Sequence, residues 1–84
     1  MAMPCPCCGY LTMSDDMPDT YDICPVCFWE DDGVQYRDPT YAGGANEESL
    51  LQARENFRAF GAKSRRFIGN VRPPMPDEFP NRME

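Results

Sequence analysis

Two cysteine pairs constrain this chain more than any other feature. The first lies in Cys5-Pro6-Cys7-Cys8-Gly9-Tyr10 and the second in Cys24-Pro25-Val26-Cys27. Read as Cys5-x-x-Cys8 and Cys24-x-x-Cys27, the pairs stand fifteen residues apart. That spacing suits a four-thiolate zinc site, because each pair offers two sulfurs from one tight turn and two facing turns complete a tetrahedron. Binding also closes the intervening chain into a loop. Four thiolates leave no open position for water or substrate, so a metal held this way is structural.

Cys7 is left over. It could replace Cys5 or Cys8 as a ligand, or stay free as a thiol beside the metal. The two-residue spacing favours Cys5 and Cys8, since Cys5-x-Cys7 and the adjacent Cys7-Cys8 turn too sharply for a two-sulfur grip. A thiol at the rim of such a turn is expected to be partly exposed and open to redox chemistry.

A metal staple is also what the length demands. The chain has 84 residues, one small domain of a size at which a hydrophobic core alone is an unsafe source of stability. Net stability at this length is about 4 to 12 kcal/mol, whereas a structural zinc in a small peptide supplies about 10 to 16 kcal/mol of binding free energy. Without metal, much of the chain is expected to unfold. The odd cysteine count and the absence of a basic or apolar start argue for a reducing cytoplasm, and no run approaches the roughly 20 apolar residues that span a bilayer.

The formal charge of −6 hides an asymmetry: residues 1–50 hold ten acids and one base, Arg37, for −9, while residues 51–84 hold seven bases and four acids, for +3. A tetrathiolate zinc centre makes the first half two units more negative. The two halves are expected to attract each other. The alternative is a basic face of Arg54, Arg58, Lys63, Arg65, Arg66 and Arg72 that meets an acidic partner. A zinc-ribbon nucleic-acid binder is the corresponding alternative function, disfavoured because phosphate contacts would work against the field of the acidic half.

Along the chain, Gly9 follows the first pair where a metal-binding turn commonly needs positive φ. Residues 10–13 read as a strand, Ser14-Asp15-Asp16-Met17-Pro18 as a turn and residues 20–23 as the return strand, so a hairpin is expected to join the pairs. After the second pair Phe28 stands where a glycine would be expected. A bulky residue loses about 1 to 2 kcal/mol in the left-handed region, which favours a helical turn there with Pro25 at its start. Of Phe28 and Trp29, one is expected to cover the sulfurs and the other to pack on the later helix. Glu30-Asp31-Asp32-Gly33 lacks the alternating spacing of a calcium loop and reads as a solvated turn. Residues 34–36 read as a possible strand, and residues 37–46 as a loop.

One long helix is expected from Asn46 as its cap to Gly61 as its stop, with Glu47 and Glu48 in the first turn. Leu50, Ala53, Phe57 and Phe60 form its apolar stripe, suited to pack on the metal module against Tyr21, Trp29 or Tyr36. Gln52, Glu55 and Arg58 lie on the outer side. Residues 66–71 read as a short edge strand, residues 73–80 as extended proline-rich chain and residues 81–84 as a frayed end. The expected architecture is a small metal-stapled α+β domain over residues 1–84. It comprises a zinc-ribbon or rubredoxin-like hairpin module at 5–36, one packed amphipathic helix at 46–61 and a proline-rich tail at 73–84.

Three motifs in order, Cys-Pro-Cys-Cys-Gly-Tyr, Ile-Cys-Pro-Val-Cys-Phe-Trp-Glu-Asp-Asp, and Gly-Gly-Ala-Asn-x-x-Ser-Leu-x-x-Ala-Arg-x-Asn-Phe-x-x-Phe-Gly, resemble the small bacterial cysteine-rich CPCC family. The resemblance covers residues 5–72. It implies metal binding with Cys5, Cys8, Cys24 and Cys27 as ligands and supplies no substrate, partner or reaction.

Three classes of function follow. The first is a zinc-stapled interaction or adaptor module, whose protein partner would read Trp29, Tyr41 or the proline-rich tail. The second is an iron electron carrier, since the paired motifs are similar to rubredoxin and softness alone does not separate iron from zinc at four sulfurs; the shorter spacer, Phe28 and the added helix depart from that pattern. The third is an enzyme. With no histidine in the chain, no phosphate-binding glycine loop and no nucleophile beside a base, no catalytic apparatus is visible. The cysteine pairs also lack the βαβ setting of a thioredoxin-type redox site.

Overall fold

Each cysteine pair builds its own turn, and the two turns match. In the first, the Gly9 N–H donates to Cys5 O at 2.8 Å and the Cys5 N–H to Tyr10 O at 2.8 Å. In the second, the Phe28 N–H donates to Cys24 O at 2.8 Å and the Cys24 N–H to Trp29 O at 2.9 Å. The residue after the second cysteine has positive φ in both, 84° at Gly9 and 73° at Phe28. The expected helical turn at Phe28 is therefore replaced by the left-handed geometry of its glycine counterpart. Its ring rests on Phe67 with centroids 4.5 Å apart, contact that offsets the steric penalty.

These features come from a computed structural model that describes residues 2–80; the expectation for residues 81–84 lies outside them. Strands β1 (Met3–Pro4) and β2 (Leu11–Met13) run antiparallel on either side of the first turn, with Met3 opposite Met13 and Pro4 opposite Leu11. An isolated antiparallel bridge between Ile23 and Glu30 flanks the second. So each pair tips its own short hairpin, and the expected pairing of residues 10–13 with 20–23 is corrected. Asp19 and Tyr21 have φ of 78° and 59°, which breaks the extended run a return strand needs.

The acidic segment is not a solvated turn. Asp31 is fully buried, and its carboxylate accepts from the Thr20 N–H at 2.9 Å and hydroxyl at 2.7 Å. Asp32 caps a helix, α1 (Gly33–Arg37), by accepting from the Val34 and Gln35 N–H groups. That cap, with a third bond from the Ala45 N–H at 2.9 Å, makes residues 34–36 helical in place of the expected strand.

The long helix, α2 (Leu50–Phe60), starts later than expected, capped by Ser49 through the Gln52 N–H, and Gly61 ends it in the left-handed conformation at φ 85°. Among the described residues the fold thus has two α-helices where one was expected. Asn46 is no cap. Fully buried, it donates to Glu30 O at 2.8 Å and Gln35 Oε1 at 2.9 Å. It accepts from the Glu30 N–H at 2.9 Å and from the Lys63 ammonium at 2.7 Å. With Gln35, itself bonded to three backbone carbonyls at 3.0 to 3.1 Å, it ties the second cysteine hairpin, α1 and the approach to α2 together.

The core is the sulfur cluster and what encloses it: Cys5, Cys7, Cys24 and Cys27 lie with Met13, Val26, Trp29, Leu50 and Ala53. Trp29 is completely buried among them, whereas Tyr21 and Tyr36, also expected against the helix, are 58% and 44% exposed. Phe57 is half-buried and meets Tyr10 edge-on at 6.3 Å. Residues 66–71, expected as a strand, fall largely within a 3-10 helix, Arg65–Asn70, which carries Phe67 back over Phe28. The proline-rich chain folds over the first hairpin, with Phe79 edge-on to Tyr10 at 5.3 Å, and a 3-10 turn at Pro76–Glu78 is closed by a two-pronged Arg72–Glu78 pair at 2.8 and 2.9 Å.

Candidate metal centre

The two matched turns face each other and bring Cys5, Cys8, Cys24 and Cys27 into one group, with all four sulfurs within 4.8 Å of one another. Across the turns, Cys5 Sγ lies 3.5 Å from Cys27 Sγ and Cys8 Sγ 3.7 Å from Cys24 Sγ. A tetrahedral ion with metal–sulfur bonds of about 2.3 Å spaces its sulfurs by about 3.8 Å. The donor set and its spacing therefore fit a single four-coordinate ion. Cys5, Cys24 and Cys27 are buried and Cys8 is half-buried.

Each turn also aims backbone donors at sulfur. The Cys7 N–H points at Cys5 Sγ, the Val26 N–H at Cys24 Sγ and the Trp29 N–H at Cys27 Sγ, each at 3.4 Å. The Thr12 hydroxyl lies 3.0 Å from Cys24 Sγ. Partial positive charge from these groups favours thiolate over thiol, and such outer contacts orient ligands and tune a bound metal. Among the thiols themselves, hydrogen bonds from Cys27, then Cys5 and Cys8, hold Cys24 far below its ordinary pKa. Cys5, Cys8 and Cys27 are pushed up, chiefly by their interaction with the Cys24 sulfur. A divalent cation at the centre of the group would bind all four sulfurs as thiolates.

Cys7 stays outside the group of four. It is not at an exposed rim, being 8% exposed and part of the core.

Distant residues brace the turns, and no spacing rule could have found them. The Lys63 N–H donates to Cys27 O at 2.8 Å and the Arg72 N–H to Pro25 O at 3.1 Å, while Arg54 Nε donates to Pro6 O at 2.9 Å. The anticipated basic residues are mostly engaged. Arg66 pairs with Glu47 at 2.6 Å and Lys63 lies 3.9 Å from Glu48, both across the acidic and basic halves. Arg58 pairs with Glu55 and Arg72 with Glu78, and Arg65 stacks on Phe60 at 4.7 Å. Burial pushes the Lys63 ammonium below its ordinary pKa, against the pull of Glu48.

The fold and site define a small α+β protein with a four-cysteine cluster compatible with metal binding. The chain matches the family model described as Cysteine-rich CPCC over residues 3–78, and it belongs to this cysteine-rich CPCC family. No curated protein was found to match it. Among the described residues, no helix is long and apolar enough to cross a membrane.

Proposed function

We propose that this is a small zinc protein of the cytoplasm in which Cys5, Cys8, Cys24 and Cys27 hold one structural ion. The stapled domain serves as a protein-interaction or adaptor module and catalyses no reaction. The observation that carries the reading is the set of four mutually close sulfurs, tipped on two matching hairpins with backbone donors aimed at three of them. Such a site closes its own coordination sphere, so its contribution is to folding. A protein partner is favoured over nucleic acid because four of the anticipated basic residues already engage carboxylates.

Metal analysis with serine scanning tests the proposal. Protein purified from a host supplied with zinc and iron should be colourless with one zinc per chain. Serine at Cys5, Cys8, Cys24 or Cys27 should each lower metal retention, while Cys7→Ser should keep it. Retention of full metal by Cys5→Ser or Cys8→Ser alongside its loss in Cys7→Ser would overturn the ligand set.

One observation favours a second reading, a rubredoxin-like iron electron carrier. Phe28 adopts the positive φ of Gly9, so the residue that departs from the paired-glycine pattern does not change the turn. Red protein containing one iron, with a reversible one-electron couple, would establish it in place of the zinc reading.

A further inference from the structure

Beside the first cysteine turn lies a cavity of about 350 Å³ whose walls come from four parts of the chain, including Met3, Pro6, Met17, Pro18, Tyr36 and Arg54. Most of this surface is apolar, and two methionines give it walls that adapt to shape. Arg54 is the charged exception. Its Nε is held by Pro6 O at 2.9 Å, which fixes the guanidinium in the wall. Its two terminal nitrogens have no carboxylate partner among the described residues, in contrast to Arg37, Arg58, Lys63, Arg66 and Arg72, each of which has one. An anchored arginine in the lining of an apolar cavity is complementary to a carboxylate carried on an apolar body.

We propose that this cavity binds a short apolar segment of a partner protein bearing a single carboxylate, the carboxylate on Arg54 and the flanking aliphatic side chain among Met3, Met17 and Pro18. The volume lies at the small end of ligand sites, enough for one or two residues. One available cation matches one carboxylate, and the chain's net charge of −6 opposes the approach of a polyacidic segment. The inference rests on the interaction-module reading for the nature of the partner and does not depend on which metal fills the sulfur site.

The test is amide-resolved NMR titration of zinc-loaded, isotope-labelled protein with the blocked peptide acetyl-Leu-Glu-Leu-amide and its neutral counterpart acetyl-Leu-Gln-Leu-amide. The acidic peptide should shift resonances of Met3, Cys5, Met17, Tyr36 and Arg54 and bind at least about fivefold tighter than the neutral one, about 1 kcal/mol of charge-assisted bonding. Arg54→Gln should abolish that preference. Arg54 also braces Pro6, so a second variant leaves it in place: Met3→Glu supplies an internal carboxylate at an exposed strand residue and should block the acidic peptide while zinc content stays at one. Equal affinity for the two peptides, shifts centred away from this cavity, or no binding by 10 mM (on the order of the weakest affinity worth assigning to a site) would overturn the inference. Each of those results in a folded, zinc-loaded protein leaves the structural-zinc reading standing, whereas full metal retention by Cys5→Ser or Cys8→Ser alongside its loss in Cys7→Ser would sink that reading's ligand set and not this inference.

Discussion

Gly9 and Phe28 occupy the same position in the two turns, so substitutions at both should report one conformational penalty. A Cβ at Gly9 would meet nothing within 4 Å, which leaves the φ of 84° as the sole cost of Gly9→Ala. Left-handed strain of about 1 to 2 kcal/mol, less the roughly 0.4 to 1 kcal/mol that alanine gains by restricting the unfolded chain, leaves a net loss of about 1 kcal/mol. At Phe28 the ring must be accounted for first. It is half-buried and stacked on Phe67, so Phe28→Ala should cost about 2 kcal/mol, near half of what a fully buried phenylalanine loses. Phe28→Gly loses the same ring and escapes the strain. It should therefore be more stable than Phe28→Ala by about 1 kcal/mol, the reverse of the order at an ordinary position. Urea unfolding followed by the fluorescence of buried Trp29 measures this, at fixed free zinc so that metal linkage is common to all variants. If Phe28→Ala equals or exceeds Phe28→Gly while Gly9→Ala is neutral, the strain argument fails and the two turns are not equivalent.

Three further outcomes are expected. Asn46→Ala should cost about 3 kcal/mol in urea unfolding, because it strands the buried Lys63 ammonium and removes the side-chain partner of the Glu30 backbone N–H and carbonyl, while Gln52→Ala on the exposed side of α2 should change stability by less than about 0.5 kcal/mol; equal small effects would show that the network adds nothing. Phe57→Ala should cost about 2 kcal/mol, its ring being half-buried against Tyr10, and Arg58→Ala at most about 0.5 kcal/mol, its pair with Glu55 being exposed. Asp32 is held below its ordinary pKa chiefly by the Ala45 N–H and then by Gln35 and Val34, so its contribution is complete above about pH 4, the unfolded carboxylate value, and fades as pH falls through its lower folded value. The stability gap between the protein and Asp32→Asn should accordingly narrow in acid, and a gap that widens would contradict the assignment.

The grouping of Cys5, Cys8, Cys24 and Cys27 was legible in the chain, because a two-residue gap between cysteines has few turn geometries and the pairs can meet across fifteen residues. The stop of α2 at Gly61 and the apolar positions Leu50 and Ala53 were legible for the same reason: periodicity and left-handed tolerance are local properties. The start of α2 was not. Asn46 has the chemistry of a cap, and only the approach of Glu30, Gln35 and Lys63 from elsewhere turns it into a buried hub. Asp31 and Asp32 read as solvated because carboxylates usually are, and it takes Thr20, which bonds one oxygen of Asp31, and Ala45, which bonds Asp32, to hold them inside. Phe28 shows the limit most plainly. Its backbone preference argues against a left-handed turn, a contact with Phe67 thirty-nine residues later stabilises it there, and energies that depend on such distant partners are decided only when the tertiary structure forms.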